Sequence, residues 1–295
     1  MTETPLRIGL VGAGPWAHTM HAPTFAAGPE TTLTAVYARR AEAAAELAGK
    51  YGAVATTDFD ALLGTCDAVA FAVRPDVQAD LARRAARAGK AVLLEKPVAL
   101  TLPAARELAD TIEIAGVVSQ LVLTKRYLPA TREFLDRARS FDTVGARSCY
   151  LHGAFLGGDL ATGWRLEHGA LPDLGPHVLD LLESALGPIH AIRATGDSTK
   201  WIELTCEHES GAVSQASLSG VIGLARPRTT VELYGPAGAL TYDTAALDHT
   251  EAWPILRAEF AAAVRAGRSS ALDVRRGVRL QELIAQAAGS LHAAS

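Results

Sequence analysis

Residues 6–17 read LRIGLVGAGPWA, a short apolar run that passes directly into a glycine turn. Leu6–Val11 is typical of a buried strand that stops at Gly12. Pro15 stands where a helix would begin, because its fixed φ and missing N–H donor cost little in a first helical turn. Gly12–Ala17 therefore matches the pattern G-x-G-x-x-[GA] directly after a strand and directly before a helix.

This turn is suited to a dinucleotide. Gly12 allows the tight turn, Gly14 lets the backbone approach a pyrophosphate, and the small Ala17 permits close contact between helix and strand. The N-terminus of the following helix supplies an anion site. An ordinary turn is the alternative, but the strand-turn-helix context favours dinucleotide binding, with Pro15 and Trp16 also among the expected cofactor contacts.

The residues that follow alternate between apolar strands and helices of 10–15 residues, which predicts a parallel sheet covered on both faces. This is a doubly wound Rossmann domain over residues 1–122, whose ligand site is expected beyond the carboxyl ends of the strands. The predicted strands are Leu6–Val11, Leu33–Tyr37, Val54–Thr56, Asp67–Val73, Ala91–Glu95 and Gly116–Val122. The main predicted helices are Arg40–Lys50, Asp76–Ala88 and Thr101–Ala115.

After residue 122 the pattern changes to alternating strands with glycine turns, as in 201–220 and 229–243. Such hairpin-like sequence predicts a second α/β domain, over residues 123–295, with a largely antiparallel sheet. Helical patterns occur at 128–139, 175–186, 253–266 and 274–292.

Composition excludes several classes of protein. The 295 residues are 49% hydrophobic and carry 28 basic against 32 acidic side chains, which argues against disorder and against a nucleic-acid partner. Cys66, Cys149 and Cys206 are far apart, without the spacing of a disulfide framework or a zinc site. No run reaches the about 18 apolar residues of a membrane helix. With a polar, acidic start at residue 1, we expect a cytoplasmic protein without membrane contact.

The end of the second predicted strand bears on the choice of cofactor. NAD sites usually place a carboxylate there to hold the ribose hydroxyls. This chain instead reads Tyr37-Ala38-Arg39-Arg40. Because a guanidinium group binds a 2′-phosphate through two hydrogen bonds, Arg39 and Arg40 favour NADP(H), with NAD(H) possible. The alternative is that the two arginines merely begin a solvated helix.

Three ordered motifs resemble the Gfo/Idh/MocA oxidoreductases: LRIGLVGAGPWA at 6–17, AGKAVLLEKPVALT at 88–101 and GALPDLGPHVLDLL at 169–182. The resemblance covers essentially the whole chain. It implies a Rossmann domain with an open-faced α/β domain, NAD(P) dependence and a sugar, polyol or related substrate. It also implies a homodimer or homotetramer formed through the open sheet.

The resemblance places the family's catalytic lysine on Lys96 and its acid/base pair on Asp173 and His177. An imidazole can take a hydroxyl proton near neutral pH, and an ammonium group can stabilise a developing alkoxide. Asp173 precedes His177 by four residues, so it could orient the ring or bind a substrate hydroxyl. Asp173 could instead be a helix N-cap, and Asp180 competes for the orienting role.

Further contacts are expected from the same resemblance. Glu95 and Lys96 are assigned to the cofactor site, and Trp164, Arg165 and Arg126 to the substrate side. Arg74 and Gln78 stand where the family commonly reads a different sequence, and Arg74 is expected to assist a phosphate group.

The sequence leaves two other functions open. One is the same chemistry on a non-sugar aldehyde, ketone, diol or imine, and the other is a dinucleotide-binding sensor that does little chemistry. His18 and His21 share a helical face but lack a third ligand, so no metal site is expected.

Overall fold

The computed structural model describes residues 4–158, 161 and 163–293, and the chain forms two compact units. Unit 1 comprises Met1–Thr124 and Trp253–Val278, and unit 2 comprises Lys125–Ala252 and Arg279–Ser295. The chain first passes from unit 1 to unit 2 between Thr124 and Lys125, close to the predicted boundary at residue 122. The return of Trp253–Val278 to unit 1 differs from the prediction, which placed every residue after 122 in the second domain.

Unit 1 is built on a six-stranded parallel sheet with the order β3-β2-β1-β4-β5-β6. The strands are β1 (Leu6–Val11), β2 (Thr31–Tyr37), β3 (Val54–Thr56), β4 (Ala68–Phe71), β5 (Ala91–Leu94) and β6 (Ser119–Leu121). The helices are α1 (Ala22–Ala26), α2 (Ala41–Gly49), α3 (Phe59–Thr65), α4 (Pro75–Arg87) and α5 (Leu102–Ala115). This architecture confirms the prediction of a doubly wound Rossmann domain.

Local sequence explains where these elements start and stop. The side chains of Asp58 and Thr101 accept hydrogen bonds from backbone N–H groups in the first turns of α3 and α5. Pro15 is the first residue of the helix that follows β1, as expected. That helix contains a π-helical turn at Ala17–His21 before it continues as α1. The four residues of β4 are all buried, as are those of β5, which fits strands in the middle of a covered sheet.

The chain returns to unit 1 as α9 (Ala252–Ala266), a helix fixed by specific polar contacts. Arg257 is 8% exposed and donates to the Glu30 carboxylate at 2.8 Å and to the Thr24 carbonyl at 3.0 Å. The side chain of Gln120 on β6 donates to the carbonyl of Leu256 at 3.0 Å. These partners are more than 130 residues away in sequence. A local sequence pattern therefore could not assign α9 to the first unit.

Unit 2 contains a second six-stranded sheet with the order β12-β11-β7-β10-β9-β8. β7 and β10 pair in parallel and every other neighbouring pair is antiparallel, which confirms the predicted largely antiparallel sheet. The strands are β7 (Gly145–Leu151), β8 (Ile189–Asp197), β9 (Trp201–His208), β10 (Val213–Ser219), β11 (Arg228–Gly235) and β12 (Gly238–Asp243). The helices are α6 (Pro129–Ala138), α7 (Gly163–His168), α8 (Ala170–Leu186) and α10 (Val274–Ala293), which starts in unit 1.

One face of this second sheet packs against α8, and the other carries exposed side chains. Arg147, Gln215 and Tyr234 lie on that outer face, on three neighbouring strands, and all are exposed. The expected homodimer or homotetramer stays a prediction. Across the described residues, none of the helices combines the length and apolar composition that crossing a bilayer requires.

Replacing Gly12 with alanine should destabilise unit 1. Its φ is +115°, and an added Cβ would lie 2.4 Å from the carbonyl oxygen of Ala72, so Gly12→Ala forces strain and a backbone clash together. We expect the free energy of unfolding to fall by about 2 kcal/mol or more in denaturant titrations.

Gly14→Ala is the matched control, because an added Cβ there meets no heavy atom within 4 Å. It should change the free energy of unfolding by no more than about 0.5 kcal/mol. Equal losses for both variants would show that the close approach at Gly12 is not what constrains the turn.

Candidate active site

A cavity of about 550 Å³ in unit 1 opens beside the glycine turn, where β1, β2 and β4 end. The carboxyl edge of a doubly wound sheet is where such folds bind their ligands. The cavity is lined by residues of the glycine turn, the end of β2 and the start of α4: Gly12, Ala13, Gly14, Tyr37, Ala38, Arg39, Arg40, Ala43, Ala72, Val73, Arg74, Val77, Asp80 and Leu81.

The shape of the glycine turn fits a dinucleotide. The N–H of Gly12 donates to the carbonyl of Tyr37 at 2.8 Å, which holds the turn against the end of β2. Open space surrounds the α-carbon of Gly14, since a Cβ there would meet no heavy atom within 4 Å. A pyrophosphate can therefore approach the backbone at Gly14, in front of the helix that begins at Pro15.

The cavity wall is mainly positive. Arg39 and Arg40 are exposed, and neither makes an ion pair among the residues that the structure describes. Arg74 is paired with Asp76 at 3.1 Å. The carboxylate of Asp80, also on the wall, accepts a hydrogen bond from Arg83. Two unpaired guanidinium groups thus remain where the sequence predicted a phosphate contact.

Not every predicted cofactor residue lines this cavity. Pro15, Trp16, Ala17, Glu95 and Lys96 are not among its lining residues, so their contacts with a cofactor stay predictions.

Lys96 follows β5, and the neighbouring Glu95 ties this loop to the helix after the glycine turn. The indole N–H of Trp16 donates to Glu95 Oε1 at 2.7 Å, and Nε2 of His21 lies 2.8 Å from the same oxygen. His21 is completely buried, and its ring packs edge-on against Trp253 of α9 with centroids 5.2 Å apart. His21, for which no metal role was predicted, therefore has a structural role: it helps to hold the Glu95 carboxylate in place.

In unit 2, Asp173 and His177 lie one turn apart on α8 and are 5% and 6% exposed. The helix begins at Ala170 with Gly169 as its N-cap, so the alternative reading of Asp173 as an N-cap is wrong. Pro176 lies inside the helix, where it has no N–H to donate to the preceding turn. The predicted pair therefore lies on one face of a helix that lacks one backbone hydrogen bond at Pro176.

Arg165 and Trp164, both predicted on the substrate side, lie beside this pair. Nε of Arg165 donates to the Asp173 carboxylate at 3.3 Å. The guanidinium carbon of Arg165 is 4.9 Å from the centre of the Trp164 ring, and Trp164 itself is buried. Arg165 thus adds positive charge next to the carboxylate that precedes His177.

Three residues that the sequence did not single out complete the surroundings of His177. The ring of Tyr150 on β7 packs edge-on against His177 and His152, with centroids 5.9 and 5.4 Å apart. Nζ of Lys125 lies 4.2 Å from the centre of the Tyr150 ring, and Lys125 is only 5% exposed. Burial and, to a lesser extent, the charge of Asp173 raise the pKa of Tyr150, so its phenol stays protonated at neutral pH.

Arg126 has a structural partner instead. Its guanidinium donates to both carboxylate oxygens of Asp180, at 3.0 and 2.9 Å, and to Ser184 at 2.6 Å. Asp180 is 1% exposed, so this ion pair fixes the segment after β6 against α8. The carboxylate of Asp180 thus binds Arg126, and the predicted substrate role of Arg126 stays a prediction.

No three His, Cys, Asp or Glu side chains come together as a metal site within the described part of the chain.

The doubly wound sheet and the glycine turn at the ends of its strands define a dinucleotide-binding domain. The family model described as "Oxidoreductase family, NAD-binding Rossmann fold" matches residues 6–122. A reductase of Streptomyces violaceoruber, dTDP-3,4-didehydro-2,6-dideoxy-alpha-D-glucose 3-reductase, is 31% identical over 88% of this chain and 79% of its own length. The chain belongs to the Gfo/Idh/MocA oxidoreductase family, as its three motifs indicated.

Two further similarities agree with this assignment. D-glucoside 3-dehydrogenase of Escherichia coli K12 is 31% identical over 63% of this chain and 56% of its own length. The crystal structure of GenD2 from gentamicin A biosynthesis, in complex with NAD, has a TM-score of 0.89 at 24% identity and covers 100% of this chain and 96% of its own. The latter likeness shows the fold.

Removing the Arg126 side chain should destabilise unit 2, because the buried carboxylate of Asp180 would lose the guanidinium that donates to both of its oxygens. We expect Arg126→Met to lower the free energy of unfolding by about 3 kcal/mol, with partial recovery in the double variant with Asp180→Asn. Arg139→Met is the matched control, since Arg139 pairs with Asp136 on the surface of the same unit. Equal free energies of unfolding for the two single variants would contradict a stabilising role of the Arg126–Asp180 ion pair.

Proposed function

We propose that the protein is an NADP(H)-dependent oxidoreductase that interconverts a secondary hydroxyl and a ketone on a pyranose-type sugar. The observation that carries this proposal is the buried helical pair Asp173–His177 beside Tyr150 and Lys125. The cluster combines an imidazole, a neutral phenol and the cations of Lys125 and Arg165. Oxidation of a carbinol requires a group that removes the hydroxyl proton, and the reverse reduction requires a group that returns it.

The names of two relatives support a sugar substrate. The Streptomyces violaceoruber relative is a 3-reductase of a dTDP-sugar, and the Escherichia coli relative is a D-glucoside 3-dehydrogenase. Both names place the reaction at carbon 3 of a hexose-type ring. We therefore propose carbon 3 as the first position to test.

Each protein group has a distinct proposed role. The bound nicotinamide supplies or accepts the hydride. His177 takes the hydroxyl proton during oxidation and returns it during reduction, and Asp173 stabilises the charged imidazole. Lys96 donates a hydrogen bond to the substrate oxygen and stabilises the negative charge that develops on it. Because its pKa is raised, the Tyr150 phenol can donate to a sugar hydroxyl without ionising.

The preference for NADP(H) rests on Arg39 and Arg40. Both line the cavity beside the glycine turn, and neither has an anionic partner among the described residues. Guanidinium groups bind phosphate oxygens through paired hydrogen bonds, so a 2′-phosphate would supply the missing partner.

Arg39→Ala should weaken NADPH binding by about tenfold, which corresponds to about 1.4 kcal/mol. NADH binding should change by less than about twofold, because NADH has no 2′-phosphate to lose. Tryptophan fluorescence titrations measure both dissociation constants. Arg87→Ala, an exposed arginine on α4 outside the cavity, is the control. A wild-type protein that binds NADH more tightly than NADPH would contradict the proposed cofactor.

Substitutions of the two proposed catalytic groups should affect turnover far more than cofactor binding. We expect Lys96→Met to lower kcat by about 10²–10³ and His177→Gln by about 10²–10⁴, measured on a panel of hexoses, glycosides and nucleotide sugars. His190→Gln, on the exposed side of β8, is the control. Full turnover in Lys96→Met would contradict its role. Dinucleotide binding without turnover of any sugar would contradict the proposed substrate.

A further inference from the structure

Gln78 in α4 is completely buried, and within the described part of the chain its amide bonds only to the backbone of the segment 95–98, which contains Lys96. Its Oε1 accepts from the N–H of Glu95 at 2.8 Å. Its Nε2 donates to the carbonyl of Glu95 at 2.8 Å, of Pro97 at 3.3 Å and of Val98 at 3.2 Å. One side chain thus spans both backbone neighbours of Lys96.

The backbone of the segment 95–98 needs a hydrogen-bonding partner, because the chain stays buried at Pro97 and Val98 after it leaves β5. Pro97 and Val98 are buried, and buried carbonyls without a hydrogen bond are costly. On another side, Val98 packs against α10 at Gly277, where an added Cβ would come within 2.5 Å of the valine side chain. The backbone around Lys96 is therefore held by an amide on one side and by close packing on another.

We propose that Gln78 is a positioning residue that fixes the placement of Lys96. The inference rests on the function proposed above for Lys96. The lysine ammonium is carried on a flexible four-carbon stem, so its average position depends on how firmly its own backbone is held. An error of about 1 Å in the placement of a reacting group can cost about 10²-fold in rate. A glutamine amide offers a donor and an acceptor at one point, which methionine, of similar length, does not.

The test compares Gln78→Met with Gln120→Met. Gln120 is an equally buried glutamine of unit 1, on the strand beside β5, and its amide donates to the carbonyl of Leu256 rather than to the segment 95–98. We expect Gln78→Met to lower kcat by about 10²-fold while the dinucleotide dissociation constant changes by less than about threefold. Gln120→Met should lower stability comparably and leave kcat near the wild-type value.

A double variant separates positioning from general weakening. If Gln78 acts through Lys96, the variant that combines Gln78→Met with Lys96→Met has the kcat of Lys96→Met alone. Multiplied losses in the double variant, or an equal fall of kcat in Gln120→Met, would overturn the proposal.

Hydrogen–deuterium exchange of the backbone amides of Glu95, Lys96 and Val98 gives a readout that needs no turnover. Exchange should accelerate in Gln78→Met, above all at Glu95, and stay at the wild-type rate in Gln120→Met. A wild-type protein without sugar turnover would refute the proposed function, whereas unchanged exchange in Gln78→Met would refute the positioning role alone.

Discussion

At the point where β1 and β4 end side by side, the α-carbon of Gly12 faces the carbonyl oxygen of Ala72 with no room for a side chain. The N–H of Gly12 bonds the end of β2, and the N–H of Ala72 bonds the end of β1. Backbone hydrogen bonds therefore link the carboxyl ends of β1, β2 and β4 to one another. The helix that starts at Pro15, the open backbone at Gly14 and the two arginines after β2 all take their positions from these linked strand ends.

The sequence predicted most of unit 1 because buried parallel strands and capped helices leave local signals. The bounds predicted for β1 and β3 match the structure. In unit 2, β9 to β12 were predicted, whereas β7 and β8 were not. β9 with β10, and β11 with β12, are antiparallel neighbours joined by short turns, which a local pattern reveals. β7 instead lies between β10 and β11, strands that follow more than 60 residues later, and no local pattern encodes such pairing.

The candidate site shows the same division between local and distant information. Lys96, Asp173 and His177 stand in recognisable motifs, and the structure confirms that the latter two share one helix. By contrast, the adjacent residues Lys125 and Arg126 lie in one short 3-10 turn and contact different partners, Tyr150 and Asp180. Which of the two neighbouring cations contacts Tyr150, the ring that packs against His177, depends on side-chain direction, and residue spacing in the sequence does not encode that direction.

The π-helical turn at Ala17–His21 has a consequence for comparing this chain with others. A π-helical turn closes an i→i+5 ring, so it holds one more residue than the α-helical turn it interrupts. The extra residue lets both Trp16 and His21 reach the same oxygen of Glu95. In a relative whose helix is α-helical throughout, the equivalent chain is one residue shorter. A correct alignment with such a relative therefore opens a single-residue gap inside this helix, and an ungapped alignment would pair His21 with the wrong position.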